Sequence, residues 1–513
     1  MNARERTEGA SASKPAASPA SPAPGKRPRD LRLDFFRGLA MFIILLAHTP
    51  GNTWTLWIPA RFGFSDATEI FVFCSGMASA MAFGTVYLKR SWFLGTARIV
   101  FRIWQVYWCH IGVILVTALL FVILQSTGLG EEGRNYTEWY PIAALFTRPG
   151  EYLLGISTLT MVPGLFDILP MYLVILALVP AVMAVHKAGG RMASFAFCLV
   201  LWFAAQLAGF GRLGDRIEDP DMLQSLALSV GGQLSFLNLP ASPFDARAQW
   251  FFNPFAWQLV FFTGFAFGTG WLPAPPVSRT LQRICAVYVL AVLPFAWFKI
   301  HGEVYLSDGA LQDWIANTRD WMNPLRWKTG VGFFRFLHFL ALAYLAWSLV
   351  GEGGWRLREG WTSPKRPEAA RKRCALIALP VVILTAPYGY TAEVEALVPA
   401  LNRGLESVGL MPPERQIGIV QLIHLAALVC FLWNAIGDRS RQWVLRDAFL
   451  ATVPVIRKVG TQSLAVFVVS VVLSRFNGWW LDVIGRDVWT RALVNLTGFA
   501  VLIAVAYGVG WFR

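Results

Sequence analysis

Arg32-Leu-Asp-Phe-Phe-Arg37-Gly-Leu-Ala-Met-Phe-Ile-Ile-Leu-Leu-Ala-His48 is the stretch whose reading decides the fold. From Gly38 to Ala47 no charged or hydrogen-bonding side chain interrupts it. A helix that is apolar all round belongs in lipid or in the middle of a bundle. The polar residues at its two ends are therefore conspicuous. Eleven residues separate Arg37 from His48, a rise of ~16 Å in a helix. That is also close to three turns, so both side chains project from one face.

The rest of the chain resembles this stretch. Of 513 residues, 56% are hydrophobic and 15% charged, with a mean hydropathy of +0.49. A soluble chain of this length would carry about 25% charged residues. The composition points to an all-α integral membrane protein, a polytopic bundle of about 10–12 transmembrane helices lying in a lipid bilayer. A span needs about 20 mostly apolar residues, and candidates begin near Asp34, Ala67, Val100, Leu165, Met192, Phe252, Leu281, Val331, Ala375, Gln416, Gly460 and Ala492.

Loop charges fix the expected orientation, because cytoplasmic loops are enriched in Lys and Arg. Basic loops (Lys89 and Arg90; Lys187 and Arg191; Arg279 and Arg283; the run from Arg356 to Arg373; the run from Arg439 to Lys458) alternate with mixed or acidic ones carrying Glu131, Glu132, Glu138, Glu218, Asp219 and Asp221. Both termini are expected in the cytosol. The net charge of +14 is accounted for by these short loops rather than by one basic face, and no nucleic acid partner is expected. The domain reading is a disordered cytosolic tail over 1–30, a membrane core over 31–350 and a basic cytosolic linker over 351–373. Further transmembrane helices follow over 374–513, with an extra pair around 375–436. The six cysteines lie apart in apolar runs, without metal-ligand or disulfide spacing, and no metal is expected.

Polar groups inside a membrane are costly, so each is a candidate for function. A cation at one mouth of the first helix and an imidazole toward the other suit a long phosphorylated donor, such as a coenzyme A thioester. Arg37 would hold its phosphates and His48 would meet the thioester. A positive-inside anchor and an interfacial histidine describe the same two residues. Ser65-Asp66-Ala-Thr-Glu69 opens the second helix with two carboxylates on one face. Either would orient His48 and stabilise its imidazolium, or simply cap the helix. Asp167 starts the fourth helix, and Arg335 and His338 start the eighth after Lys328. Asn253 and Gln258 place two amides at the sixth, to hold sugar hydroxyls or to tie helices together. Arg98 and Arg102 could join Arg37 as a phosphate clamp. Long loops at about 127–163, 211–250 and 301–330 are rich in aromatic residues that stack on sugars or anchor at the membrane surface. The chain has no phosphate-binding glycine loop, no HExxH and no GxSxG. Energised pumps and soluble-type hydrolases are excluded, whereas a secondary transporter or glycan exporter is not.

Six segments resemble one family. They are Arg32-Leu-Asp-Phe-Phe-Arg-Gly-Leu-Ala with His48, Ser65-Asp-Ala-Thr-Glu-Ile-Phe-Val-Phe, Asp167-Ile-Leu-Pro-Met-Tyr, Trp250-Phe-Phe-Asn-Pro-Phe-Ala-Trp-Gln, Phe334-Arg-Phe-Leu-His-Phe-Leu-Ala-Leu-Ala-Tyr and Gly460-Thr-Gln-Ser-Leu-Ala-Val-Phe. Together they resemble the OpgC-type succinyltransferases of osmoregulated periplasmic glucans, within the acyltransferase-three class of membrane enzymes. The resemblance implies a multi-pass protein of the bacterial inner membrane. Such a protein moves a succinyl or acetyl group from cytosolic succinyl- or acetyl-coenzyme A to a periplasmic glycan acceptor. It also implies that His48 is the essential base or acyl carrier and that Arg37 lies on the donor.

Overall fold

The computed structural model describes residues 30–211, 221–302, 309–362, 367–389 and 419–512. The tail expected over 1–30 lies, but for Asp30, outside them, as do Glu218, Asp219 and the connection within the expected extra pair. Among the described residues every regular element is helical, apart from an isolated antiparallel bridge between Pro240 and Gln249.

The principal helices are α1 (Leu31–His48), α2 (Ala67–Ser79, running on as helix to Lys89), α3 (Trp92–Ser126) and α4 (Ile168–Gly211). They are followed by α5 (Pro254–Thr269), α6 (Arg279–Ala296), α7 (Phe333–Val350) and α8 (Glu368–Gly389). The last four are α9 (Ile419–Ala435), α10 (Phe449–Thr461), α11 (Ser463–Ile484) and α12 (Val488–Trp511). Each of the twelve expected segments falls on one of these helices or on one arm of α4. By length and composition, seven described helices are able to cross a membrane: α2 with its extension, α3, α4, α6, α7, α11 and α12. Helix α1 has the length but carries Arg32, Asp34 and Arg37. At 16 residues, α5 is shorter than a hydrocarbon core, yet eleven of its residues are buried and none is fully exposed.

Helix α4 is two arms rather than one rod. Gly190, between the basic residues Lys187 and Arg191, takes φ 72° and breaks the helix. This left-handed conformation is open to glycine at no steric cost. Both arms then meet the same stretch of α5: the Tyr172 ring lies 6.0 Å from that of Phe261, and Gln258 Nε2 donates to Cys198 O at 2.7 Å. The chain has therefore reversed at Gly190, as the basic turn expected there requires.

Packing depends on glycines where helices cross. A β-carbon on Gly76 of α2 would run into the carbonyl of Phe261 in α5, and one on Gly264 into that of Phe73. The same holds between α1 and α10, where Gly38 faces Ile456 and Gly460 faces Asp34. Small residues let backbones approach closely, the usual means of helix association in lipid. Helix α1 is thereby joined to the end of the chain: α10 and α11 pack on it directly. The basic run after residue 350 forms a short helix, Arg356–Glu359, before α8 opens at Glu368 and takes in Arg371, Lys372 and Arg373. Helices α8 and α9 pack against each other, with Thr385 Oγ1 2.9 Å from His424 Nδ1.

Candidate functional site

His48 closes α1. Its Nδ1 lies 2.8 Å from the carbonyl oxygen of Ile44. A carbonyl only accepts, so in the neutral ring the proton sits on Nδ1 and the lone pair is left on Nε2. The turn beyond is held by Thr49 Oγ1 donating to Leu45 O at 2.9 Å. Beyond it, a reciprocal amide pair joins Asn52 to Asn495 of α12, at 2.8 and 3.1 Å. The imidazole is thus presented from a fixed segment. The bond that orients it comes from Ile44, one turn back in its own helix, rather than from Asp66 or Glu69.

Those two carboxylates build the next layer. Asp66 caps α2, accepting from Thr68 N at 2.7 Å, while Glu69 Oε2 accepts from Asp66 N at 2.8 Å. This reciprocal capping box is what the spacing of the two acids allowed. It leaves one oxygen of each acid for a cation. Lys328 Nζ stands 2.5 Å from Asp66 Oδ2, and Arg335 Nη1 stands 2.7 Å from the fully buried Glu69 Oε1. His338 is buried, and its Nδ1 accepts from the Ser65 backbone N–H at 3.3 Å, with Ser65 Oγ at 2.8 Å. It fixes the entry to α2 from beneath. The charges of Arg475, Lys328 and Asp66 all act on the His48 ring.

Lys328 owes its position to an unusual loop. Four successive carbonyls each receive a donor from the bundle: Lys328 O from Trp257 Nε1 at 3.1 Å, Thr329 O from Asn253 N at 3.1 Å, Gly330 O from Gln206 Nε2, and Val331 O from Trp202 Nε1 at 3.0 Å. Val331 holds φ 50°. That is a strained value for a β-branched residue, and it persists because the surroundings over-determine it. The ammonium lies 5.5 and 5.8 Å from the ring centres of Phe252 and Phe251.

Asp66 and Asp167 each stand one residue ahead of a spanning segment. Burial pushes the Asp66 carboxyl up, but Lys328 and Arg335 outweigh it and hold the group well below the usual carboxylate range. Asp167 is also buried, and burial pushes it up to about 7 against the pull of Lys328.

His48, Asp66, Glu69, Asp167, Arg335 and His338 therefore gather at one end of the bundle, with the loop of Lys328 among them. Asn253 lies just beneath as the cap of α5, its Oδ1 accepting from Phe255 N at 3.0 Å and its Nδ2 donating to Leu237 O at 3.0 Å. Gln258 is one turn deeper, donating to Cys198 O at 2.7 Å and so tying α5 to α4. Arg37 is at the opposite end of α1, buried, with Nε donating to Gly460 O at 3.0 Å and Nη2 3.4 Å from Asp34. Arg98 and Arg102 stand apart from it, lining a groove of about 340 Å³ with Phe83, Phe101 and Gln105.

A cavity of about 470 Å³ opens between Pro50, two residues past His48, and Trp139, Arg475, Trp479 and Asp482. Arg475 was not among the residues singled out from sequence. Its signal was present: it is the one charge in the apolar run from Ser463 to Leu481. Among the described residues no group of three or more His, Cys, Asp or Glu side chains converges as a metal site.

An apolar bundle with two ion pairs, Asp66–Lys328 and Glu69–Arg335, at the end where His48 closes α1 defines the class: a polytopic all-α membrane protein with a built polar site. The sequence model of the OpgC protein family matches residues 29–367 and 357–513, and the chain belongs to that family. Membership implies a transferase and suggests glucan succinyltransferase activity. No curated protein and no solved structure matches the chain.

Proposed function

We propose that this protein is an integral membrane O-acyltransferase of the acyltransferase-three class. In this reading it lies in the bacterial inner membrane with both termini in the cytosol. It takes a succinyl or acetyl group from a cytosolic coenzyme A thioester and delivers it to a hydroxyl of a periplasmic glycan. The observation that carries the reading is the His48 ring. Its Nδ1 is committed to Ile44, which leaves Nε2 as the base, two residues before Pro50 in the wall of a cavity that also holds Trp139 and Trp479.

The chemistry follows from that tautomer. The glycan hydroxyl gives its proton to Nε2 as its oxygen attacks the thioester carbonyl. When the tetrahedral intermediate collapses, the carbon–sulfur bond breaks and the departing thiolate takes the proton back from the imidazolium. Asp66 stabilises the transient imidazolium from nearby, and Lys328 keeps Asp66 ionised and in place. The aromatic walls offer stacking faces for sugar rings. Arg98 and Arg102, beside the apolar floor of their groove, suit the donor phosphates. Arg37 is engaged with Gly460 and Asp34, and in this reading it secures the donor end of α1.

The test is incubation of purified protein with radiolabelled succinyl- or acetyl-coenzyme A and a glucan, for wild type and His48→Ala. Label should pass to the glucan with wild type and fall by ~10²–10⁴-fold in the variant. Absence of transfer from either donor, with glycan flux across proteoliposomes instead, would support a transporter.

A further inference from the structure

Arg475 sits inside α11, within a span that is otherwise apolar. An arginine at such depth is costly and normally pairs with an acid. This one does not. Its Nε donates to Ser474 Oγ at 3.3 Å, and its guanidinium lies 5.0 Å from the ring centre of Trp139. Among the described residues its Nη groups have no hydrogen-bond or ion-pair partner. The acids on the same cavity wall are engaged elsewhere. Asp482 is held by Arg134 at 3.1 Å, by Arg486 and by the hydroxyl of Tyr136 at 2.9 Å. Glu138 accepts from Asn135 at 2.8 Å and faces solvent.

The cavity therefore holds one uncompensated cation, and its position relative to the reacting centre is set. Pro50, two residues past His48, packs on Gly478, one turn beyond Arg475, and both Pro50 and Arg475 line the cavity. The Arg475 charge reaches the His48 ring. An anion seated on it would lie next to the acyl group under transfer. Guanidinium takes a carboxylate through two parallel N–H bonds, the strongest pairing open to it.

Resting on the acyl-transfer reading, we infer that Arg475 receives a carboxylate carried by the transferred acyl group. The succinyl transfer that family membership suggests then depends on Arg475, whereas transfer of an acetyl group does not. Arg475 determines specificity, Trp139 holds the guanidinium in place, and the ring of paired charges around His48 carries out transfer for either donor.

The experiment compares full-length wild type, Arg475→Lys and Arg475→Gln with succinyl- and acetyl-coenzyme A and one neutral glucan. Wild type should favour succinyl. Arg475→Gln should lower the ratio of succinyl to acetyl kcat/KM about 10- to 100-fold, a ratio in which any effect on the shared base His48 cancels, and Arg475→Lys should fall between. Equal loss for both donors, or a succinyl preference kept without Arg475, overturns the assignment. A second arm reads binding without transfer: monomethyl succinate should raise the melting temperature of wild type saturably, dimethyl succinate should not, and neither should act on Arg475→Gln. Equal stabilisation of both proteins by monomethyl succinate removes the site. Dependence of a phosphorylated glucan, but not monomethyl succinate, on Arg475 assigns the anion to the acceptor and also overturns the inference. Arg475-dependent binding in a wild type that transfers neither donor keeps the carboxylate site and defeats the transferase reading instead.

Discussion

At the scale of single residues, the site is a set of charges held in pairs, and that arrangement has measurable consequences. Glu69 is wholly buried and Arg335 nearly so. Removing one member of a buried pair leaves an uncompensated charge, at a cost of about 3–5 kcal/mol. Arg335→Leu is expected to lower the melting temperature sharply, and Glu69→Leu with Arg335→Leu to recover much of the loss. Single variants that melt like wild type would contradict the pairing. Asp167 gives a pH signature. Its folded-state pKa of about 7 lies above the unfolded value, so between these pH values the native protein binds more protons than the unfolded chain, and stability falls as pH rises. Asp167→Asn should flatten the slope of melting temperature from about pH 4 to 7; an unchanged slope would assign it to another group. His48, Asp66, Glu69 and Asp167 were legible in the sequence because each is polar at the edge of an apolar run. The partners of the acids were not, because Lys328 and Arg335 lie more than two hundred residues away along the chain. Arg335, His338, Asn253 and Gln258 were legible as polar residues at helix ends, but not for what they touch. Each bonds within the protein, to Glu69, Ser65, Leu237 and Cys198 respectively.

At the scale of elements, the loop from Lys328 to Val331 is the clearest case of structure that sequence does not show. Nothing in Lys-Thr-Gly-Val indicates that Trp257, Asn253, Gln206 and Trp202 will each reach one of its carbonyls. Trp202→Phe removes one donor and keeps an aromatic, though smaller, side chain. It should cost about 1 kcal/mol of stability but lower kcat about tenfold or more, because small misplacements of a positioned group are expensive in rate. A kcat loss no larger than the stability loss explains would return the loop to a purely structural role. The glycine crossings predict a different outcome. Gly264→Leu forces α2 and α5 apart and should destabilise by about 1–3 kcal/mol or more. Gly112, with open space around its Cα, should accept Leu with little change in melting temperature. The principal helices other than α10 were legible from their apolar runs, as was the turn at Gly190 between Lys187 and Arg191. Helix α10 was missed, because at 13 residues with Pro454, Arg457 and Lys458 it reads as part of a basic loop.

At the scale of the whole molecule, the ends of α1 and of the second arm of α4 meet the starts of α2, the first arm of α4, α5 and α7 in one polar layer. At the other end Phe35, Val350, Leu357 and Val453 form a separate apolar cluster, with Arg32 over Trp347 and Arg356 over Trp355 and Trp361. In the proposed reading the loop charges assign this end to the cytosol. That assignment gives the proposed reaction a direction, with the donor entering among the arginines and the acceptor meeting His48 at the far end. The most direct test of that account places the two substrates on opposite sides of a membrane. Protein is reconstituted into proteoliposomes, labelled succinyl-coenzyme A is supplied on the face of Arg98 and Arg102, and neutral glucan only on the face of His48. Wild type should label the glucan across the bilayer and His48→Gln should not, with equal protein inserted. Undiminished labelling by His48→Gln, or labelling only when donor and acceptor share a compartment, would contradict it.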